Sequence, residues 1–327
     1  MSEDEGEGAG ELTYSDAGVD IADSEAATAA LVSAVGQSEG DYAGLLDIGE
    51  RYLALATDGV GTKLLVAEAL SDYSTIGIDC IAMNANDLVA AGVEPVAFVD
   101  YLAVEAPDEG IAQQVGEGLS SGAEAAGLAL VGGETAVMPD VIRGLDLAGT
   151  CAGLAPKDAV FEGCAEPGDT LVGWASSGIH SNGLTLAREA ASRDDDYDDE
   201  FPHEGYDTVG EALLEPTRIY TDLLEPMRSH GTRGAAHITG GGWTNLDRLG
   251  EHRYEIEDPH PAQPVFEFVQ SAGISDEEMH RTFNMGTGFV AAIPDAGDAE
   301  ALADETDGRV IGRVEEGSGV AIRGLSL

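Results

Sequence analysis

The sequence predicts an α/β (α+β) protein of two mixed domains, and three observations carry that prediction. Strand-like and helix-like apolar patterns alternate along nearly the whole chain. Its 327 residues suffice for roughly two domains. A turn-forming stretch, Ala165-Glu166-Pro167-Gly168-Asp169, punctuates the middle. The hydrophobic content of 43% is that of a chain with a core rather than of an acidic disordered tail. The expected organisation is an acidic disordered tail over 1–11, an N-terminal domain over 12–165 and a C-terminal domain over 166–327.

The elements follow in order. Tyr52-Leu53-Ala54-Leu55 reads as a strand, and Leu64-Leu65-Val66-Ala67 as a helix start. Residues 75–91 are helical in pattern, with Ile78, Ile81, Met83 and Leu88 as the apolar set. Val96–Val99 and Leu128–Val131 are short strand-like runs, separated by helical spacing over 109–126 through Ile111, Val115, Leu119 and Ala123. Leu145–Leu154 is strand-like again. Beyond the boundary, Thr170–Trp174 starts a new strand, and the half ends in a strand at Phe289–Ile293, a helix, and strands at 309–314 and 319–324. The run Asp194–Glu200 is read as a solvated acidic loop.

Charge narrows the function classes. The formal net charge is -47, from 62 acidic residues against 15 Lys plus Arg. Only two of the cations are lysines, Lys63 and Lys157. Acids spread along the chain suggest a surface adapted to salt, where a Debye length of about 3 Å at 1 M screens self-repulsion. A halophilic cytoplasmic protein is expected, one that loosens in dilute buffer. No basic stripe is present, which argues against nucleic-acid binding. The three cysteines, Cys80, Cys151 and Cys164, are widely spaced and odd in number, as expected in a reducing compartment. Met1–Gly8 reads as neither a signal peptide nor an anchor, and no apolar run reaches about 18 residues, so no membrane partner is expected.

Chemistry concentrates in glycine-rich polar loops at element junctions. Thr57-Asp58-Gly59-Val60-Gly61-Thr62-Lys63 links a strand to a helix. There, backbone N–H groups can face a phosphate and Asp58 can hold a hard cation. The order Gly-Thr-Lys does not fit a Walker A loop, and a tight turn with a surface lysine is the alternative. Asp79, Asn84, Asn86 and Asp87 interrupt the apolar helix 75–91; either Mg²⁺–nucleotide ligation or internal hydrogen bonding satisfies them. Gly132-Gly133-Glu134-Thr135-Ala136 offers a carboxylate for a cation or a ribose, or a helix cap. Ser176–Gly183, with Ser177, His180, Ser181 and Asn182, opens a helix as a phosphate-holding loop would. His180 is one of seven histidines; it can shuttle a proton or bond the backbone. His237–Asn245 contains the triple glycine Gly240-Gly241-Gly242 before a helix, and Arg281–Gly288 joins a helix to a strand with a cation at its start.

Together these segments resemble the phosphoribosylformylglycinamidine cyclo-ligase (AIR synthetase) family. Tyr14–Asp20 looks like the family's opening segment. Thr57–Lys63, Asn86-Asp87-Leu88, Gly132–Ala136, His180–Gly183, Thr239–Gly242 and Arg281–Asn284 then follow in family order, from about Leu12 to the C-terminus. The region Val32–Leu45 departs from the family: it is short and has no lysine, and no nucleotide contact is assigned to it.

The resemblance implies two α/β domains and a homodimer whose N-terminal-domain strands form a barrel-like interface. It implies ATP with Mg²⁺, and K⁺ as a further candidate ion. The implied reaction closes formylglycinamidine ribonucleotide to aminoimidazole ribonucleotide, with ADP and phosphate released through an iminophosphate. Asp58, Asp87 and Glu134 are the expected metal ligands. Asp58, Gly59, Gly61, Thr62, Lys63, Asp87, Gly133 and Glu134 are expected around the nucleotide, with Lys63 near its phosphates. Ser177, His180, Ser181, Asn182, Gly240, Gly241 and Arg281 are expected around the substrate. His180, Asp58 and Lys63 are the expected catalytic groups. A related ATP-dependent kinase, or a relative that binds nucleotide without turnover, are the alternatives.

Overall fold

The computed structural model describes residues 13, 26–30, 33–34, 42–194 and 196–327. The tail 1–11, the segment Tyr14–Asp20 and most of the lysine-free stretch lie outside the described residues.

Among the described residues, the first half builds a five-stranded sheet in the order β1-β2-β5-β3-β4. The strands are β1 (Gly44–Asp47), β2 (Arg51–Gly59), β3 (Glu94–Val104), β4 (Ala129–Val137) and β5 (Leu145–Pro156). Only the β3–β4 pair is parallel, as a helical crossover requires. Helices α1 (Lys63–Leu70), α2 (Ile76–Ala90) and α3 (Glu109–Ala126) belong to this half. Burial alternates along β5, with Leu147, Gly149, Cys151, Gly153 and Ala155 on the covered face. α2 lies on that face with α3 beside it. A side chain at Gly77 would sit 2.2 Å from the Leu119 nitrogen, and one at Gly118 2.6 Å from the Ser74 carbonyl, so these glycines let the two helix backbones touch. The opposite face carries Leu55, Val99 and Tyr101 into solvent.

The second half forms a seven-stranded sheet in the order β12-β11-β8-β10-β6-β9-β7. Its strands are β6 (Thr170–Ala175), β7 (Gly234–His237), β8 (Arg253–Ile256), β9 (Thr287–Ile293), β10 (Arg309–Glu315), β11 (Gly319–Ile322) and β12 (Leu325–Ser326). β9 is buried along its whole length, as its unbroken apolar run Phe289–Ile293 requires. Helices α4 (Leu184–Asp194), α5 (Val209–Leu214), α6 (Leu224–Ser229), α7 (Pro264–Gln270), α8 (Asp276–Thr282) and α9 (Ala296–Glu305) connect and flank it. The turn after the triple glycine is not an α-helix but a 3₁₀ helix over Gly242–Leu249, because Gly241 and Gly242 both take positive φ and start the segment tightly. Among the described residues no helix is long and apolar enough to cross a membrane.

α2 joins the halves. Its end, Val89 and Ala90, packs into one cluster with Phe161, Trp174, Tyr220 and Phe289. Asn86 spans the seam, donating to the Arg218 carbonyl at 2.9 Å and accepting from the Tyr220 N–H at 2.8 Å. Two amide bonds satisfy a side chain that burial would otherwise penalise.

Candidate active site

β2 delivers Asp58 to the end of the first sheet, on the face that α2 covers. Its Oδ1 accepts the Gly59 N–H at 2.7 Å, and Asn84 of α2 donates to its carbonyl at 3.2 Å. Burial, and then the charge of Asp87, push the Asp58 carboxyl up to about 6. Asp87 stands one helical turn beyond Asn84 and remains partly open to solvent. Its Oδ1 lies 3.0 Å from Nδ1 of His237, which ends β7 and is fully buried. Asn86 Nδ2 lies 3.4 Å from the other ring nitrogen of His237. An amide nitrogen can only donate, so Nε2 accepts and the Nδ1 proton points at Asp87. Tyr220 and Phe289 enclose the ring. Sequence reasoning alone assigns His237 no role; its place at the mouth of the triple-glycine turn is the signal that could have found it.

Three loops of the second half converge beside this pair. His180 is buried with φ +67°, a left-handed conformation uncommon for a side chain of its size. Its Nε2 accepts the Ser177 N–H at 3.2 Å, which places the proton on Nδ1, where it has no partner. Burial first, then the charges of His237, Lys63 and Arg218, hold its pKa well below the ordinary 6.5. Asn182 reaches α2 at Met83 Sδ, and its Oδ1 would lie 3.3 Å from a side chain on Gly240. Asn245 donates to the carbonyls of Gly240 at 3.1 Å and Gly242 at 2.7 Å. Asn284 donates to the Gly178 carbonyl at 2.9 Å and accepts the Gly286 N–H. These asparagines replace regular backbone pairing where the loops have none. Arg281 is partly exposed and paired with Glu277 of its own helix at 3.0 Å. The hydroxyls of Ser177 and Ser181 are already engaged, with the Pro216 carbonyl at 2.6 Å and Thr217 at 3.2 Å. Thr62 bonds Thr185 across the halves at 3.0 Å, and Gly61 makes its turn with φ +70°.

Two expected site residues are not placed with Asp58 and Asp87. Lys63 is not a surface cation: it is fully buried, with Nζ 2.9 Å from Asp79 Oδ1 and 2.6 Å from the Glu215 carbonyl. Asp79 also accepts the Thr217 N–H at 2.8 Å and its hydroxyl at 2.6 Å. The first turn of α1 faces α2, so Lys63 ties α1 to α2 and to the segment after α5 instead of projecting from the loop. Glu134 does not join Asp58 and Asp87. Gly133 pairs with Asp100 and Glu134 with Tyr101, and alternation sends Glu134 to the open face with Tyr101. Among the described residues no group of three or more His, Cys, Asp or Glu is arranged to hold a metal.

Two family models match, in tandem. One is described as AIR synthase related protein, N-terminal domain, over residues 40–155, and the other as the C-terminal domain of the same family, over 166–324. Solved structures agree in fold. A Thermus thermophilus protein, tt0281, shares 26% identity at a TM-score of 0.66, covering 93% of this chain and 97% of that one. AaThiL complexed with AMPPCP and TMP shares 17% at a TM-score of 0.70, covering 94% and 96%. The class is therefore that of the AIR synthase-related proteins. Within it, the phosphoribosylformylglycinamidine cyclo-ligase of Methanosarcina acetivorans is 46% identical over 329 residues, 97% of this chain and 98% of the relative. That of Thermococcus kodakarensis is 49% identical over 310 residues, 89% and 91% of the two chains. The chain belongs to the phosphoribosylformylglycinamidine cyclo-ligase family.

Proposed function

We propose that the chain closes the aminoimidazole ring by an iminophosphate route, at the seam where Asp58, Asp87 and His237 meet the loops 176–183, 239–245 and 281–288. The overall reaction follows from family membership: the chain is an ATP-dependent ligase of purine biosynthesis acting on the small molecule formylglycinamidine ribonucleotide. In the proposed course, the formyl amide oxygen takes the γ-phosphoryl group and ADP leaves. An amidine nitrogen of the same molecule then attacks the activated carbon, phosphate departs and the ring closes. Phosphorylation is needed because an amide oxygen is a poor leaving group. Holding the two ends of one molecule in line can remove about 7–11 kcal/mol of the barrier.

The carrying observation is the convergence of those loops on the Asp87–His237 pair. His237, buried with both ring nitrogens engaged, donates its Nδ1 proton to Asp87 and orients that carboxylate toward the site. His180 stays neutral and shapes the loop around the substrate. Among the described residues the N–H groups of Gly240 and Gly241 have no protein partner, and with Arg281 they are proposed to receive the substrate phosphate. Asp58 and Asp87 fit a divalent cation, because burial and the nearby charge of Asp87 raise the Asp58 carboxyl to about 6, a cost that a cation would relieve. They would hold Mg²⁺, which when bound neutralises the triphosphate. Glu134, on the other face, is left out of that pair.

A homodimer is proposed through the open sheet face of Leu55, Val99 and Tyr101, since exposed apolar faces of this kind mark interfaces. Residue 165 is proposed as the domain boundary, and the cytoplasm as the compartment. The test is turnover of formylglycinamidine ribonucleotide with Mg²⁺–ATP in molar KCl, following aminoimidazole and ADP together. Equal amounts of both products are expected, and Asp58→Asn should lower the rate at least ~100-fold. ADP without aminoimidazole would sink the ring-closure reading.

A further inference from the structure

A second carboxylate, unassigned so far, lies in the row of Asp58. Strand register aligns Asp58 of β2, Gly149 of β5, Asp100 of β3 and Gly133 of β4 across the sheet. Directly paired residues share a face, so Asp58 and Asp100 both lie on the α2 side, roughly 10 Å apart at two strand spacings. The two glycines are required there. A side chain at Gly133 would fall 2.3 Å from Asp100 Oδ1, and one at Gly149 2.0 Å from the ring of Phe98. The Asp100 carboxylate therefore lies directly over the glycine of β4, in the space a side chain at Gly133 would take.

Its bonding is incomplete. Asp100 is half-buried, and its one hydrogen bond comes from its own backbone. Among the described residues no cation pairs with it. Desolvation raises its carboxyl pKa, as expected for a carboxylate without a counter-charge. Across this layer, the Cys80 thiol of α2 lies within the fields of both Asp100 and Asp58. One turn on, fully buried Asn84 spends its Nδ2 on the carbonyls of Cys80 and Asp58 and leaves Oδ1 without a donor. Asn84 Oδ1 is thus a buried acceptor without a donor, and Asp100 is a carboxylate without a counter-charge. A ligand that fits must bring several N–H donors and a positive charge. An amidine is a strong base, cationic near neutrality, and presents two parallel N–H groups that match a carboxylate.

We infer that Asp100 binds the amidine end of the substrate, and that this contact selects an amidine over the corresponding amide. The inference rests on the cyclo-ligase reading. It places the amidine in the sheet row that also carries Asp58, so that the attacking end of the substrate is fixed beside the nucleotide end of the site.

The test compares wild type with Asp100→Asn, which keeps the shape over Gly133, and with Asp100→Ser in case the first does not fold. Wild-type turnover is the control for the function: its failure counts against the cyclo-ligase reading, and binding of the two ligands still reads the selectivity. For Asp100→Asn, KM for formylglycinamidine ribonucleotide should rise roughly 10- to 100-fold, with KM for ATP unchanged. Binding of formylglycinamide ribonucleotide, which carries a carbonyl in place of the amidine, should be weaker than that of the amidine in wild type. The variant should lose most of that preference. Unchanged KM with unchanged preference would leave Asp100 a structural residue and overturn the inference. So would a parallel loss of ADP binding, which would assign Asp100 to the nucleotide.

Discussion

Replacing Lys63 by Met tests whether this lysine is a structural clasp. Lys63 and Asp79 are both fully buried, with Nζ 2.8 Å from Asp79 Oδ2. The pair ties α1 to α2, and the bonds to Glu215 and Thr217 tie both helices to the segment before Arg218. Methionine keeps most of the side-chain volume, so the loss is electrostatic rather than a cavity. It leaves Asp79 with two Thr217 donors and no counter-charge. Breaking one side of a buried pair costs about 3–5 kcal/mol, or roughly two to four decades in the folded-to-unfolded ratio. Urea unfolding in constant molar KCl, extrapolated linearly, reads the difference as a lower midpoint at unchanged slope. The double variant Lys63→Met with Asp79→Leu removes both charges and should recover much of the loss, giving a large coupling energy. A Lys63→Met protein within about 1 kcal/mol of wild type would refute the clasp. A stable variant with a raised KM for ATP would return Lys63 to the phosphates.

Three further outcomes are expected. His180 is buried with its pKa held well below 6.5, so its contribution to stability is complete above pH 6.5 and is lost as pH falls below it; His180→Asn, which tolerates positive φ, should flatten that part of a stability–pH curve, and an unchanged slope would contradict the burial argument. Tyr101→Asp together with Val99→Asp, on the open sheet face, should convert a dimer to monomers in sedimentation or light scattering while each half stays folded; a persisting dimer would place the interface elsewhere. With a net charge of -47, transfer from molar KCl to dilute buffer should lower the melting temperature, and an equal melting temperature in both would rule out a salt-adapted surface.

Much of the fold is legible locally. The helix over 109–126 appears with those bounds as α3, because its apolar positions recur at helical spacing and Asp108 caps it by accepting the Ile111 N–H. The run Phe289–Ile293 can only be a strand buried on both faces. The turn after Gly240-Gly241-Gly242 reads as helical, but two successive positive-φ glycines tighten it into a 3₁₀ segment.

The sequence by itself determined most strands and helices and most of the loops that carry polar chemistry, since propensity, periodicity and motif order are properties of neighbouring residues; Gly132–Ala136, which reads as a loop, lies inside β4. It also determined the family, because ordered motifs survive without coordinates. Tertiary structure alone decided where side chains point and whom they meet. Lys63 faces inward because α1 packs on α2. Glu134 is separated from Asp58 by a strand register that a shift between Phe98 and Val99 sets. His237 finds Asp87, 150 positions away, because β7 packs against α2. Asp100 shares a row with Asp58 only once β5 lies between their strands. Such pairings depend on non-local register and packing, in which one residue of slip would move every side chain to the other face.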